Sequence, residues 1–232
     1  MSVKLPDEFL ERMKEQLGDE FQSFLDSYDI PGRRGIRINE LKTTADFIRE
    51  QAPFRMEPVP WIENGFFIDS DDDPAGHPFY RTGAYYIQEP SAMSPADRLD
   101  VKPGDRVLDL CAAPGGKATA LAVKLKGEGI LVANDVSASR CKALLHNLEL
   151  FGAGNIVITN ELPSKLEKKF TGYFDKILVD APCSGEGMFR KEPEVIETWS
   201  TERVRYFSEL QKTIVKSAGG MLKPGGLMMY ST

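Results

Sequence analysis

The sequence predicts an α/β fold: a parallel sheet covered by helices on both faces. Three observations carry this. From about Val101 onward, short apolar runs alternate with segments of helical periodicity, which is the signature of successive βαβ units. Glycines, prolines and acids cluster at the ends of those runs, where sheets of this kind bind ligands. Hydrophobic residues make up 41% of the 232 residues and charged residues 28%, so the chain can bury a core of ordinary soluble type.

Each element has a local reason. Residues 6–28 read as one helix, with Pro6 at its start and Phe9, Met13, Leu17, Phe21, Phe24 and Leu25 at helical spacing. Gly35 to Asn39 alternates as a short strand. Thr43 or Thr44 can cap a helix running through Ile48. The stretch from Pro53 to Pro78 is rich in Pro, Gly and Asp, and within it Asp71, Asp72 and Asp73 read as an exposed loop. Asp71, Asp72 and Asp73 lack the spacing of a calcium loop. Five strands are then predicted at Arg106–Cys111, Ile130–Asn134, Asn155–Thr159, Asp175–Asp180 and Gly226–Ser231, with helices at Lys117–Lys126, Ala138–Leu150 and Glu202–Ala218. The domains are a small α+β N-terminal domain over residues 1–76 and the parallel-sheet core over 77–232.

No apolar run is long enough to span a bilayer, and residues 1–20 are charged and amphipathic, unlike a signal peptide. Cys111, Cys141 and Cys183 lie far apart, and His77 and His146 are the two histidines. That composition supports neither a zinc site nor a disulfide framework, so no metal is expected and a cytoplasmic location fits. The net charge of −6 argues against non-specific nucleic-acid binding by the whole surface. A local basic groove stays open, from Arg33, Arg34 and Arg37, from Lys165, Lys168 and Lys169, or from Arg190 and Lys191. Any one of these clusters reads first as solvated surface charge.

The first core strand ends in Asp109-Leu110-Cys111-Ala112-Ala113-Pro114-Gly115-Gly116-Lys117. Small residues let the backbone turn sharply and approach a ligand, and a helix N-terminus follows with free N–H groups. The second strand ends in Asn134-Asp135, where an acid can accept hydrogen bonds from ribose hydroxyls. A G-x-G-x-x-G fingerprint is absent. The P-loop pattern also fails, since Cys111 stands in place of its first Gly and Ala118 in place of its Ser or Thr. A nicotinamide oxidoreductase is thereby disfavoured.

Cys111 to Lys117, C-A-A-P-G-G-K, resembles the cofactor loop of the RNA 5-methylcytosine methyltransferases of the Sun/NOL/NOP2 family, which includes bacterial 16S rRNA enzymes. Asp180-Ala181-Pro182-Cys183-Ser184-Gly185 resembles the fourth motif of the same family. Arg34 to Asn39 and Tyr85 to Ser91 resemble further family segments. The resemblance implies a Rossmann-like class I methyltransferase sheet with S-adenosylmethionine as cofactor. Cys111, Ala112, Ala113, Pro114, Gly115, Gly116 and Lys117 would wrap the cofactor's methionine part. Asp135 would hold the ribose, with Arg140 in the same site and Asp180 beside it. Leu162 stands where the family carries an acid toward adenine, and Asn160 is the expected substitute.

For cytosine C5, the family chemistry adds a thiolate to C6 so that C5 can take the methyl group. A base then removes the C5 proton and the thiol leaves. Cys183 matches the cysteine that assists release, and a protonated Asp180 would support N3. The family's nucleophilic Cys follows a Y-S-T sequence, and the chain reads Tyr230-Ser231-Thr232. The expectation is a chain that binds cofactor and stops before the nucleophile, with the last sheet strands missing. The expected partner is RNA, ribosomal RNA first, and its base must be unstacked. Phe189 is either an aid to unstacking or a core residue. Two other readings stay open: a DNA cytosine-5 methyltransferase using Cys183 as nucleophile, and a non-catalytic cofactor- or RNA-binding protein.

Overall fold

Gly18 takes φ +52 and breaks the first helical stretch, a backbone state that costs glycine little. The single helix expected over 6–28 is therefore α1 (Asp7–Leu17) and α2 (Phe21–Asp26), each followed by a 3₁₀ turn. This computed structural model describes residues 4–30, 32–192 and 194–232.

Four strands form an antiparallel sheet in the order β2-β3-β1-β4. They are β1 (Arg34–Ile38), β2 (Glu57–Pro58), β3 (Gly65–Ile68) and β4 (Tyr85–Ile87). Thr44 caps α3 (Ala45–Gln51), its hydroxyl accepting the Phe47 N–H. The stretch from 53 to 78 holds β2 and β3. Gly65-Phe66-Phe67-Ile68 is too short to show a period among its Pro, Gly and Asp neighbours. Pairing of Arg34 to Arg37 against Ile68 to Gly65 makes it a strand. Helix α4 (Pro78–Arg81) precedes β4, and α5 (Pro90–Arg98) follows it.

The second sheet has five strands, all parallel, in the order β7-β6-β5-β8-β9. They are β5 (Arg106–Asp109), β6 (Ile130–Asn134), β7 (Ile156–Thr159), β8 (Phe174–Asp180) and β9 (Leu222–Ser231). Between them run α6 (Gly116–Leu125), α7 (Ala138–Phe151), α8 (Pro163–Phe170), α9 (Glu194–Thr198) and α10 (Thr201–Met221). The expected α/β class is present. Three details differ: α8 and α9 are additional to the expected helices, and β9 starts at Leu222, directly after α10. Strand order reverses beside β5, which is where such sheets open a crevice. The core around β5 and α6 includes Leu121, Leu131, Leu144 and Leu178, all without solvent exposure, each stabilising by about 1.5–3 kcal/mol.

Packing groups the chain into two compact units, Met1–Gly32 with Pro182–Thr213 and Arg33–Ala181 with Ile214–Thr232. The division differs from 1–76 and 77–232. The small sheet continues past residue 76 through β4, and the N-terminal helices cluster with a segment far along the chain. In the first unit Phe9, Phe189 and Trp199 are buried together, with Phe9 and Phe189 edge to face at 5.1 Å. Phe189 is thus a core residue, unavailable for unstacking a base. Arg12 pairs with Glu186, which also accepts the Trp199 indole N–H at 2.8 Å.

Candidate cofactor site

The loop after β5 is fastened to three other elements. Ala112 N–H donates to the Asn134 carbonyl of β6 at 2.8 Å. The Asn147 amide on α7 donates to the Pro114 carbonyl at 2.7 Å, and Arg140, also on α7, donates to that of Ala113. Arg37 of β1 donates to the Gly116 carbonyl and to the Thr119 hydroxyl, both at 2.7 Å. Arg37 is 2% exposed, and burial lowers its pKa to about 10. It is therefore not part of a surface basic cluster; it is the buried brace between the small sheet and the start of α6.

Gly115 closes the loop at φ +118, in a region that side chains other than glycine's rarely tolerate. Helix α6 then starts at Gly116 with no acid in its first turn and no side-chain cap. Its first N–H groups stay available to a carboxylate.

Carboxyl groups line the ends of three neighbouring strands. Asp135, after β6, is 2% exposed. It accepts the Ser137 N–H at 2.9 Å and pairs with Arg140 at 3.2 Å. Asp180 closes β8, accepting from Lys117 at 2.6 Å and from the Ser231 hydroxyl at 2.8 Å. Asp109 closes β5 with no exposure, and neither of its oxygens completes a hydrogen bond. Burial first, then the nearby Asp180 charge, push its carboxyl up to about 7.

Asn160 donates its amide to the Asp135 carbonyl at 2.7 Å. This bond ties the residue after β7 to the turn after β6. Leu162 is 53% exposed. The thiol of Cys111 is pushed up to about 12, by burial first and then by the Asp109, Asp135 and Asp180 charges, so it is no nucleophile at neutral pH. Cys141 is buried, as expected for a residue inside a helix, while Cys183 is exposed and belongs to the first compact unit.

Of the candidate surface cations, several are engaged. Arg33 pairs with Glu57 at 2.5 Å and sits 3.5 Å from the Phe67 ring. Arg34 donates to the Ser70 and Asp72 carbonyls. Lys165 pairs with Glu161, and Arg190 donates to the Ser27 and Ile30 carbonyls.

Sequence reasoning missed Asp109, Ser231 and the bracing role of Arg37. One signal for Asp109 was legible: it is an acid inside the apolar run Val107-Leu108-Asp109-Leu110.

The donor set fits S-adenosylmethionine. That cofactor carries a sulfonium, an ammonium and a carboxylate. Three carboxyls at strand ends suit its cations, while Lys117 and the free start of α6 suit its carboxylate. A dinucleotide would bring two phosphates against those same carboxyls. Among the described residues no group of three or more His, Cys, Asp or Glu side chains gathers to hold a metal. No described helix is long and apolar enough to cross a membrane.

Comparison with known proteins gives the family. Residues 96–232 match the model of "16S rRNA methyltransferase RsmB/F", and residues 5–90 match that of the "N-terminal domain of 16S rRNA methyltransferase RsmF". The chain is 40% identical to "Ribosomal RNA small subunit methyltransferase F" of Escherichia coli O157:H7, over 100% of this chain and 50% of that protein. The protein of the same name from Escherichia fergusonii shows the same identity and coverage. The chain thus spans about half the length of the curated relatives it matches. A solved methyltransferase homolog protein from Pyrococcus horikoshii superposes with a TM-score of 0.86 at 30% identity, over 98% of this chain and 73% of that one. The structure of NSun6 from the same organism with SFG superposes at 0.87 and 19% identity, covering 99% and 83%, and so shares the fold. The chain belongs to the RsmB/F family of 16S rRNA methyltransferases.

Proposed function

We propose that this chain binds S-adenosylmethionine across the carboxyl ends of β5, β6 and β8, and serves the methylation of cytosine C5 in ribosomal RNA in the cytoplasm. The observation that carries the reading is the braced loop Cys111–Lys117 facing Asp135 and the Lys117–Asp180 pair. When bound, the cofactor supplies an electrophilic methyl group. Asp135, fixed by Ser137, Arg140 and Asn160, accepts from the ribose hydroxyls. The α6 N-terminus and Lys117 take the methionine carboxylate, and Asp180 faces the ammonium or the base. Each Asp180 oxygen is occupied once, by Lys117 or by Ser231, which leaves a lone pair on each for a further donor. In the family chemistry a cysteine thiolate adds to C6 of the base, and Cys183 has the place of the cysteine that assists release of the product. The relatives' names favour RNA over DNA as substrate.

Titration calorimetry of the 232-residue chain tests the cofactor half. One saturable S-adenosylmethionine site is expected, weakened at least tenfold in Asp135→Asn and Lys117→Met. Equal binding of a nicotinamide dinucleotide would overturn it. For the base, protein of the length of the curated relatives is given 16S rRNA or DNA carrying tritium on cytosine C5. Methylation at C5 must expel that label, so methyl incorporation without tritium release would refute the C5 assignment. Label released from DNA and not from RNA would favour the DNA reading instead.

A further inference from the structure

Asp109 is anomalous in the fold. It is fully buried at the end of the central strand, and neither carboxyl oxygen completes a hydrogen bond. A buried acid without an ion pair of its own is held either protonated or against a cation that binds there. The ammonium whose charge reaches it, on Lys117 of α6, is given to Asp180 on β8 at 2.6 Å. Asp135 after β6 is matched by Arg140 of α7 at 3.2 Å. The backbone N–H of Cys111 and the Lys117 charge pull Asp109 toward ionisation, but burial and the charges of Asp180 and Asp135 outweigh them. Two cations are therefore committed to two acids, and the third acid has no counter-charge of its own.

We propose that Asp109 is the residue by which this site distinguishes the charged cofactor from the neutral product that remains after methyl transfer. This rests on the reading that S-adenosylmethionine binds at these strand ends. That cofactor has a net charge of plus one: sulfonium and ammonium against one carboxylate. S-adenosylhomocysteine, with a thioether in place of the sulfonium, has a net charge of zero. Cofactor binding supplies the missing counter-charge, the Asp109 O–H bond breaks, and the proton leaves to solvent. Once the methyl group has been transferred, the cation is gone, and Asp109 takes a proton back from water. The ionised acid favours the cofactor, while the neutral product gains nothing from either state of the acid. Charge discrimination of this kind needs a site in low dielectric, which the burial of Asp109 provides.

The test is titration calorimetry at pH 7 in two buffers of different ionisation enthalpy, which counts protons released per ligand bound. With the free carboxyl near 7, S-adenosylmethionine should release about half a proton and S-adenosylhomocysteine close to none. Between pH 6 and 8 the affinity for the cofactor should rise up to about tenfold, and that for the product should stay level. Asp109→Asn should abolish both differences. The comparison of two ligands on the unmodified chain needs no variant, so misfolding of the Asn protein would not rescue the idea. Equal proton counts for the two ligands, or an undiminished count in Asp109→Asn, would overturn it while leaving the cofactor site standing. Absence of heat with either ligand would sink the cofactor reading and this inference together.

Discussion

Replacing Asp109 by Asn should change how stability depends on pH, and the size follows from the structure. The carboxyl moves from 3.8 up to about 7 on folding. A raised acid binds more protons in the folded state than in the unfolded one, so its contribution to stability is full below about pH 4. It is lost as pH rises through the window up to about 7, and beyond that it stays constant. Between pH 5 and 7 the unfolded chain has already ionised this group while the folded chain has not. The unmodified protein should therefore lose about 2 kcal/mol over that interval through Asp109 alone, at about 1.4 kcal/mol per pH unit. Asn cannot titrate, so Asp109→Asn should lack this loss. The assay is urea unfolding followed by circular dichroism at pH 5, 6 and 7, comparing slopes and not absolute stabilities, because Asn also places a new donor in the site. Parallel pH profiles for the two proteins would refute the argument that Asp109 is held protonated by burial.

Further outcomes follow from the same geometry. Leu121→Ala, in the fully buried cluster on α6, should cost about 3 kcal/mol in chemical denaturation. Phe189→Ala should cost a similar amount, about 3–5 kcal/mol, because its ring packs against Phe9 and Trp199; a neutral result would return Phe189 to the list of base-contacting candidates. Gly115→Ala forces a side chain to φ +118, at about 1–3 kcal/mol, and should weaken cofactor binding in calorimetry more than it lowers the melting temperature. Brief alkylation at pH 7.5 followed by mass spectrometry should label exposed Cys183 first, with Cys111 resisting because its thiol lies near 12.

Local pattern alone determined much of this protein. The strand–helix alternation after Val101 requires only short-range periodicity, and a parallel sheet follows from it; the order β7-β6-β5-β8-β9 is set by the fold. The loop Cys111–Lys117 and the acid Asp135 stand out in the sequence because C-A-A-P-G-G-K resembles the family's cofactor loop and an acid follows the next strand. What the tertiary structure decided is everything that depends on a distant partner. Arg37 looks like one of several surface cations until β1 brings it against the start of α6, 79 residues on. Gly65 to Ile68 becomes a strand only by pairing with β1. The N-terminal helices join Pro182–Thr213 in one unit because Phe9, Phe189 and Trp199 bury one another. Asp109 is a single acid in a strand by sequence. Its importance comes from the partners it lacks, and only the folded arrangement shows that Lys117 is committed to Asp180 and Arg140 to Asp135. Burial and charge balance are sums over neighbours in space, and the chain order does not contain them.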